Sequence, residues 1–587
     1  MKTDALLIQI STSYLNYNII HEPYLGQYYI AEYAKEKGFR CKIKKFLSSE
    51  PLIQKISQLV SELKCDILGF SVDCENQWII RRIVGPIKEY FPHLLCVIGG
   101  PQVTAAAEQT LKRIPAADIA IIGEGEKPFA SILSLLNEPQ KSLHDIKGLA
   151  FRDGSGKIIY TGNPKPEVFA GNYPYPRRYD YCLDENIVFD QIITGRGCIG
   201  QCAFCFEGSK KSNVLRLRPI EDVIDEIDYI ISHLKNQHFI SFIDDTFIIN
   251  PERTKIICQH MIDKYEGKIK WFCEARVDIL KRNLELLPLM KKAGLLRVQL
   301  GGESGSQKVL DAYNKKMKVG DLKLVVRELY NAKISSIYIN FIIGGANEDY
   351  ETFGETLDLA KELMIIAPGC AEVGCSIFAP YVGTPMTTQP DKYGIRIIDA
   401  NMLSGPDGHM SFTETEQLNR YKIYQLCTLF ETECLKLQNE LAKSLSKERY
   451  SDIYQQYFYV GLDTNWFKAV RNIESIDKYF STIAGHGFLS IKEIDSAILD
   501  FCIPCRTKEP ISDGVKFFRC TYPGTFLPNT PLEESLYLLS SGKLSYGEIK
   551  FLLKKKPEYA NMDIDAETFR LYNMFDDEYL IVWKRDL

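Results

Sequence analysis

The stretch Gly195-Arg196-Gly197-Cys198-Ile199-Gly200-Gln201-Cys202-Ala203-Phe204-Cys205 places three cysteines in CxxxCxxC spacing on a glycine-rich loop. Three thiolates at this spacing can hold three irons of a cubane iron–sulfur cluster and leave the fourth iron open for a ligand. A zinc ion would normally take a fourth protein ligand, and no other histidine or cysteine lies close by in sequence. The loop therefore predicts a 4Fe–4S cluster held by Cys198, Cys202 and Cys205.

This loop follows the first of six strand-like segments that alternate with helical patterns. Six consecutive βα units predict an open parallel barrel, in which the chemistry lies at the carboxyl ends of the strands. The strand candidates are 188–194, 238–243, 269–274, 296–301, 336–343 and 371–379.

Polar or glycine-rich residues follow the later strands, where a barrel places its site. Any one of the acidic residues among them could equally be a helix cap or part of a solvated turn. The prediction of a site therefore rests on the order in which all of these stretches occur. The stretches are Phe242-Ile243-Asp244-Asp245-Thr246-Phe247, Trp271-Phe272-Cys273-Glu274-Ala275-Arg276-Val277-Asp278, Leu300-Gly301-Gly302-Glu303-Ser304-Gly305-Ser306, Phe341-Ile342-Ile343-Gly344-Gly345 and Pro380-Tyr381-Val382-Gly383-Thr384-Pro385.

Residues 1–136 show the same alternation, which predicts parallel βαβ units and a doubly wound sheet. Ligands of such sheets bind at the carboxyl ends of the strands. Glycines there let the backbone approach a large flat ligand closely, although they also suit tight turns between strand and helix. The strand candidates are 4–10, 41–46, 65–72, 94–100 and 118–122, and the last three lead into Ser71-Val72-Asp73, Gly99-Gly100-Pro101-Gln102 and Gly123-Glu124-Gly125-Glu126.

The barrel motifs resemble the cobalamin-dependent branch of the radical S-adenosylmethionine (SAM) superfamily, in which FxDDxF, an R-x-D strand, a G-x-E-S-G strand and a GTP turn recur. Phe204, just before the last cysteine, belongs to the same pattern. The resemblance implies that the open iron binds SAM and that an electron from a flavodoxin- or ferredoxin-like donor cleaves it to a 5′-deoxyadenosyl radical. It also implies that Glu303 and Ser304 hold the ribose or methionine end of SAM, and that backbone near Phe204 and Gly344 meets the adenine.

The first 136 residues resemble the cobalamin-binding domain of the same branch. Domains that bind cobalt through histidine carry D-x-H-x-x-G after the first strand, but this chain has Ser11-Thr12-Ser13 there, and His21 does not fit. We therefore expect no histidine to replace the cofactor's own base, and the loop from Ser71 to Trp78 to lie beneath the cobalt. Asp73 and Cys74 are its polar candidates, although Cys74 also suits a packing role. The residues implied in cobalamin binding are Ser71, Asp73, Cys74, Gly99, Gly100, Gln102, Gly123, Glu124 and Gly125.

At 587 residues the chain is too long for one hydrophobic core. Its hydrophobic and charged fractions, 45% and 25%, are ordinary for a soluble globular protein. The net charge of −5 gives no general attraction to phosphate backbones, which argues against a nucleic-acid partner. No apolar run is long enough to span a bilayer, and MKTDALLIQI lacks the features of a secretory signal, so we expect a cytoplasmic protein without a membrane partner.

The predicted organisation is α/β, with four parts. Residues 1–136 form a flavodoxin- or Rossmann-like cobalamin-binding domain, and 137–187 form a linker with a hairpin near Asp153-Gly154. Residues 188–405 form a partial (β/α)6 radical SAM barrel. Residues 406–587 form a mostly helical region with a small α+β tail that caps the barrel mouth.

Most of the seventeen cysteines are irregularly spaced and suit small buried hydrophobes. Cys502, Cys505 and Cys520 have no histidine nearby, so structural cysteines explain them better than an auxiliary cluster. The segment 530–549 weakly resembles a winged-helix module that recognises leader peptides. A generic helix pair capped by Ser545 is the simpler interpretation.

The leading hypothesis is a cobalamin-dependent radical methyltransferase that acts on an unactivated carbon of a small molecule or peptide, by analogy in secondary metabolism. One SAM would methylate cob(I)alamin, and a second would supply the radical that abstracts hydrogen, after which the substrate radical takes methyl from methylcobalamin. A radical cyclase, rearrangement or oxidation uses the same cofactor loops. Two further alternatives fit less well. Methylthiolation predicts three more cluster cysteines in the first domain, and a cobalamin sensor or scaffold leaves the cysteine loop unexplained.

Overall fold

The structure is a computed structural model. It describes residues 2–11, 25–74, 76–136, 138, 142–162, 175–181, 183, 190–209, 215–233, 239–399, 410–486, 489–507, 511–512, 516–519, 525–526 and 528–585. The chain divides into two compact units. The first comprises Met1–Ala360 and Val373–Glu431, and the second comprises Lys361–Glu372 and Thr432–Leu587. None of the helices in these described ranges is long and apolar enough to cross a membrane.

The first unit begins with a sheet of seven strands. Buried aliphatic side chains cover both of its faces. Strands that are buried on both faces appear in a sequence as near-continuous apolar runs. The elements are β1 (Ala5–Ser11), α1 (Leu25–Glu36), β2 (Cys41–Leu47), α2 (Leu52–Leu63), β3 (Ile67–Ser71), α3 (Gln77–Tyr90), β4 (Leu95–Gly99), α4 (Pro101–Arg113), β5 (Ile119–Ile121), α5 (Glu126–Leu135), β6 (Leu149–Arg152) and β7 (Ile158–Tyr160).

The strand order of this sheet is β2-β1-β3-β4-β5-β6-β7, and β1 to β5 run parallel. The order 2-1-3-4-5 is the flavodoxin-like one, in which a ligand crevice lies outside the carboxyl ends of β1 and β3, where the strand order reverses. The predicted doubly wound domain is thereby confirmed. Part of the predicted linker 137–187 is built into the sheet, because the antiparallel hairpin β6–β7 pairs with β5 and turns at Asp153-Gly154.

A second series of βα units follows. Each of its six main strands coincides closely with a predicted strand. The elements are β8 (Asp190–Ile192), β9 (Gly195–Arg196), α6 (Phe206–Ser209), β10 (Arg216–Leu217), α7 (Ile220–His233), β11 (Phe239–Phe242), α8 (Pro251–Tyr265), β12 (Lys270–Ala275), α9 (Val277–Leu280), α10 (Leu287–Lys292), β13 (Leu295–Glu303), α11 (Gln307–Ala312), α12 (Val319–Asn331), β14 (Ser336–Ile343), α13 (Tyr350–Ile366), β15 (Ala371–Ile377), α14 (Pro385–Thr388), β16 (Ile395–Ile397) and β17 (Thr413–Thr415).

The six main strands form one sheet in the order β15-β14-β13-β12-β11-β8. Within this sheet β8, β11, β12, β13 and β14 run parallel, which confirms the predicted partial barrel. Their carboxyl ends therefore share one edge, where the predicted motifs lie.

The C-terminal part is mostly helical with short strands, as predicted. Its elements are α15 (Arg420–Ala442), α16 (Lys447–Val460), α17 (Asn465–Arg471), α18 (Glu474–His486), β18 (Cys502–Arg506), β19 (Ile511–Ser512), β20 (Lys516–Arg519), β21 (Thr525–Phe526), α19 (Pro531–Leu539), α20 (Tyr546–Lys554), α21 (Ile564–Asp577) and β22 (Ile581–Arg585).

Ser545 caps α20 as expected, since it accepts the amide of Glu548 at 3.3 Å and its own amide donates to the Glu548 side chain at 2.8 Å. Cys502 is buried in β18 and Cys505 is half-buried. Cys520, Thr12, Ser13 and His21 lie outside the described residues. The predicted domain boundaries and the capping of the barrel mouth stay predictions.

Candidate functional site

The carboxyl ends of β3, β4 and β5 open onto a cavity of about 560 Å³. Gly100 sits there with φ +98°, and a Cβ on it would lie 2.8 Å from the Val72 carbonyl oxygen. Only glycine tolerates both conditions, so the conformation of the loop after β4 requires a glycine at position 100. Several of the residues predicted to bind cobalamin line this cavity, namely Ser71, Gly99, Gly100, Gly123, Glu124 and Gly125.

Asp73, Cys74 and Gln102 are not part of that wall. Asp73 shapes the loop after β3, because its Oδ1 accepts the amide of Asn76 at 2.7 Å and its Oδ2 accepts the Asn76 side chain at 3.1 Å. Cys74 is half-buried. Gln102 is buried at the start of α4, and its side-chain nitrogen has no hydrogen-bond partner in the described part of the chain. Contact of these three with cobalamin stays a prediction.

Two buried polar atoms on wall residues of the cavity also lack a partner among the described residues. They are the side-chain oxygen of Gln27 and the hydroxyl of Tyr29, on residues that are 6% and 2% exposed. Unpaired buried polar atoms are costly, so they indicate a ligand that supplies partners. Cobalamin carries amide groups around its ring, and amides both donate and accept hydrogen bonds. The wall therefore fits the predicted cofactor.

The cysteine loop joins β9 to α6 and carries three cysteines, none of which forms a disulfide bond. Cys202 is buried, whereas Cys198 and Cys205 are half-buried. Gly197 turns the chain just before Cys198 with φ +94°, and the amide of Gly200 donates to the Cys198 sulfur at 3.3 Å. Amide hydrogen bonds to cluster sulfurs are one way in which proteins tune iron–sulfur sites. The loop is thus folded around its sulfurs rather than extended.

Across the described ranges, no three His, Cys, Asp or Glu side chains form a group that could hold a single metal ion. A cubane cluster does not require such convergence, because each cysteine binds a different iron. A tetrahedral zinc site does require it.

Arg276 closes the cysteine loop from the barrel side. It follows β12 and is 8% exposed. Its Nη1 lies 3.5 Å from the Cys202 sulfur, and its Nε donates to Asp278 at 3.0 Å. A Cβ on Gly200 would lie 2.3 Å from Arg276 Nη1, so the glycine makes room for the guanidinium. The R-x-D motif thus fixes a cation beside the Cys202 sulfur.

Asp244, the first acid of FxDDxF, anchors the chain just before the cysteine loop. It accepts the Thr194 amide at 3.0 Å and the Thr194 hydroxyl at 2.7 Å. Burial raises the pKa of Asp244 to about 6, against the opposing effect of these hydrogen bonds. Asp245 is exposed. The two acids of the motif therefore differ, because Asp244 is buried and anchors Thr194 whereas Asp245 is exposed.

Glu303 and Ser304 end β13 in different environments. Glu303 has φ +58°, a strained value for a non-glycine residue, and accepts Lys315 Nζ at 2.5 Å. Ser304 is fully buried, with its hydroxyl 3.0 Å from that of Thr356 and accepting the Ser306 amide at 3.1 Å. The Ser304 hydroxyl is therefore engaged within the protein. The Glu303 carboxylate is likewise engaged by Lys315, and contact of either residue with SAM stays a prediction.

Phe204 and the end of β14 share one apolar cluster. Phe204 packs against Tyr313 with ring centroids 5.0 Å apart, and Ile342 belongs to the same cluster. Gly344 follows with φ +83°, and its amide donates to buried Glu348. Burial raises the pKa of Glu348 to about 8. The structure thus brings Phe204 close to the β14 loop, as the predicted adenine contact requires.

Ion pairs join the cavity wall to the base of the cysteine loop, a feature that sequence reasoning missed. Arg196 Nη2 lies 2.6 Å from Glu126, and its Nη1 lies 3.2 Å from Glu124. Arg216 Nη1 donates to Glu124 at 3.0 Å. Burial alone would raise the pKa of Glu124, but the two arginines hold it below its usual value. Glu126 and Arg196 are 70 residues apart, so no local pattern reveals the pairing.

Two family models match the chain. Residues 21–133 match the B12 binding domain, and residues 192–360 match the radical SAM superfamily. The first match covers β2 to β5 and their strand-end loops. The second contains the cysteine loop and the barrel strands from β11 to β14.

Characterised relatives of the chain include a cyclase and a methyltransferase. The anaerobic magnesium-protoporphyrin IX monomethyl ester cyclase of Cereibacter sphaeroides is 28% identical over 348 residues, which are 57% of this chain and 54% of the cyclase. The cobalamin-dependent radical SAM methyltransferase TokK of Streptomyces tokunonensis is 25% identical over 358 residues, 57% of this chain and 50% of TokK. The chain thus spans about half the length of these two relatives.

A solved structure has the same fold. The cobalamin-dependent S-adenosylmethionine radical enzyme OxsB, with aqua-cobalamin and S-adenosylmethionine bound, matches 82% of this chain and 71% of its own with a TM-score of 0.58. The two sequences are 17% identical, so the likeness concerns the fold alone.

The family matches show that the chain contains a B12-binding domain followed by a domain of the radical SAM superfamily. The chain is similar to cobalamin-dependent members of that superfamily, and a methyltransferase is among its relatives. A radical SAM domain implies a 4Fe–4S cluster and SAM, and a B12-binding domain implies cobalamin. The three cofactors that the sequence predicts are thereby confirmed.

Proposed function

We propose that the protein is a cobalamin-dependent radical SAM methyltransferase that methylates an unactivated carbon of a small molecule or peptide. The observation that carries the proposal is the make-up of the cavity wall. The strand-end loops of the first domain share that wall with Gln191, Ile193, Arg196 and Ile243 from the barrel. A cofactor in this cavity would lie beside the strands that lead into the cysteine loop, and proximity of that kind is what group transfer needs.

The interior of the barrel offers a polar surface to a substrate. Glu274, Gln299 and Tyr338 are register partners on β12, β13 and β14, so they share one face and one level of the sheet. The opposite face is apolar, with Cys273 fully buried beside Cys258 of α8. Parallel barrels usually fill their interiors with bulky aliphatic side chains. The polar row supports a substrate with several hydrogen-bonding groups.

Glu274 is the acidic group of this row. Its Oε1 accepts the Gln299 side chain at 3.3 Å. Burial, together with the carboxylates of Asp245 and Glu303, raises the pKa of Glu274 to about 7. Near neutral pH the group can therefore accept or donate a hydrogen bond, which suits the binding and orientation of a polar substrate.

When bound, the cluster and SAM supply hydrogen abstraction and cobalamin supplies a methyl group. The chain's own residues would hold these groups in place. The three thiolates bind the cluster, Arg276 keeps a cation beside it, and the loops after β3, β4 and β5 hold cobalamin. An external one-electron donor of the flavodoxin or ferredoxin kind belongs to the proposal.

The proposal is tested by anaerobic reconstitution with iron, sulfide and cobalamin. The protein is then incubated with a small-molecule and peptide extract and with SAM that carries a deuterated methyl group. We expect mass spectrometry to find a product that gains the labelled methyl, and the gain to vanish without cobalamin or in Cys202→Ala. A product that forms only with all cofactors present and contains no label would contradict methyl transfer.

A radical cyclase or oxidase with the same cofactors is the second candidate. The relationship to the anaerobic magnesium-protoporphyrin IX monomethyl ester cyclase favours it. The same incubation separates the two, because a ring closure or oxidation removes hydrogen from the substrate and adds no carbon. Loss of hydrogen without label would therefore support this second function.

A further inference from the structure

We propose that Arg196 is a positioning residue that couples the cobalamin cavity to the cluster loop. The inference rests on the two cofactors of the proposed function and not on methyl transfer itself. Its basis is the set of ion pairs that ties a wall of the cavity to the first residues of the cysteine loop.

The cavity side of the link is the turn between β5 and α5. Glu124 and Glu126 both line the cavity, and Glu126 is 4% exposed. Their carboxylates lie 3.2 and 2.6 Å from the two terminal nitrogens of Arg196. The Arg196 guanidinium also lies over the ring of Tyr29, another wall residue, at 5.1 Å. Breaking this arrangement would leave a largely buried charge without its partner, which is strongly unfavourable.

The cluster side of the link is the short ladder β9–β10. Arg196 pairs with Arg216 across this antiparallel ladder, and Arg216 itself donates to Glu124. Both strands at the base of the loop are therefore tied to the cavity wall. Only Gly197 separates Arg196 from Cys198, the first cluster ligand.

The base of the loop has little room to absorb a shift. A Cβ on Gly195 would lie 2.8 Å from Leu217 Cδ2, and Asp244 holds Thr194 by both its amide and its hydroxyl. Packed segments of this kind transmit displacement rather than deform. Movement of the Glu124 and Glu126 carboxylates when cobalamin fills the cavity is therefore passed to the cluster loop. Because coupling between two sites is reciprocal, ligands at the cluster then affect the cavity as well.

The test measures cobalamin binding to the cluster-loaded protein with and without SAM. In the wild-type protein we expect SAM to change the cobalamin Kd by about fivefold or more. We also expect cobalamin to alter the EPR spectrum of the reduced cluster. Glu126→Gln keeps the size of the side chain and removes its charge. The ratio of the cobalamin Kd without SAM to that with SAM should therefore be close to one in this variant.

Conservative variants separate positioning from general support of the fold. Arg196→Lys keeps the charge but not the planar fork, so it should retain part of the ratio that Arg196→Gln loses. Lys88→Gln is the matched control, since it removes the Lys88–Asp118 pair at 2.5 Å on the same domain. It should keep the wild-type ratio. Glu124→Gln replaces Glu126→Gln if that variant does not fold.

A wild-type ratio of one would overturn the proposal. So would an unchanged ratio and EPR response in Glu126→Gln and Arg196→Gln proteins that still bind both cofactors. Neither readout needs a methylated product. If SAM and cobalamin binding are coupled but no methylated product forms, this inference stands and the proposed function is contradicted. If a methylated product forms but the coupling is absent, the proposed function stands and this inference is contradicted.

Discussion

Arg276 Nη1 lies 3.5 Å from the sulfur of Cys202, so a side chain of the barrel contacts one of the three cluster thiols directly. The guanidinium is held there by Asp278 at 3.0 Å. A fixed positive charge at this distance interacts with any change of charge on the cluster. Arg276 is thus one residue through which the barrel would affect the electrons of the cluster.

Replacing Arg276 with glutamine should make the cluster harder to reduce, because the added electron loses a nearby cation. We expect the reduction potential to fall by tens of millivolts, on the order of 50 mV. An EPR-monitored redox titration measures it. Arg282→Gln, an exposed arginine just after α9, is the control and should leave the potential unchanged. Equal potentials in the wild type and Arg276→Gln would contradict the prediction.

Each of Cys198→Ala, Cys202→Ala and Cys205→Ala removes one iron ligand from the predicted cluster. Anaerobically reconstituted variants should therefore retain well under half of the wild-type iron, measured by chemical iron assay. Cys505→Ser is the control, because that thiol lies in β18 and should not bind iron. Normal iron content in the three alanine variants, or iron loss in Cys505→Ser, would refute the assignment.

Gly100→Ala should weaken cobalamin binding and destabilise the first domain. Its φ of +98° and the carbonyl oxygen at 2.8 Å both exclude a side chain, at a cost of about 1–3 kcal/mol. Gly85→Ala in α3 is the control, since no atom beyond the local helix backbone lies within 4 Å of its new Cβ. It should leave stability unchanged or raise it by about 1 kcal/mol. Thermal melting and cobalamin titration check both.

Glu348 should make the protein less stable as the pH rises. Burial raises the pKa of Glu348 to about 8, so the folded protein keeps a proton that the unfolded chain releases near pH 4 to 5. The stability due to this group is full below that range and is lost as the pH rises to about 8.

Glu348→Gln removes the titration while its amide oxygen can still accept the Gly344 amide. Wild-type stability should therefore fall between pH 5 and pH 8 by on the order of 3 kcal/mol more than that of Glu348→Gln. Urea unfolding at the two pH values measures the difference. Parallel pH dependences in the two proteins would show that Glu348 does not keep its proton.

Glu226→Gln should strongly destabilise the protein. Its carboxylate accepts Arg178 and Arg218, each at 2.5 Å, and the three side chains are between 0% and 1% exposed. Removing the charge leaves two buried cations uncompensated, which costs about 3–5 kcal/mol. Glu221→Gln in the same helix is exposed and should have little effect. Chemical denaturation compares the two, and similar losses would contradict the prediction.

The elements and the cysteine loop could be predicted because their signals are local. Strands such as β1 and β14 are buried along most of their length and therefore appear as short apolar runs, so the predicted strands 4–10 and 336–343 match them closely. The CxxxCxxC loop carries its chemistry within eleven residues, from Gly195 to Cys205. No distant partner is needed to recognise it.

What could not be predicted depends on residues far apart in sequence. The pairing of Arg196 with Glu126 and of Arg178 with Glu226 joins different elements, and charged residues alone do not show which partner they meet. Ser304 matches a motif, yet its hydroxyl is engaged by Thr356 from α13, 52 residues away. Motif position predicts proximity to a site but not the direction of a side chain.

The hairpin β6–β7 has a consequence for assembly. The last parallel strand, β5, is only three residues long, and without the hairpin its free side would be an open template for another chain. Leu149 and Phe151 occupy that side instead, opposite Ile121 and Ile119. The turn bearing Glu124 therefore grows from a strand bonded on both flanks, which protects it from fraying and from intermolecular sheet extension.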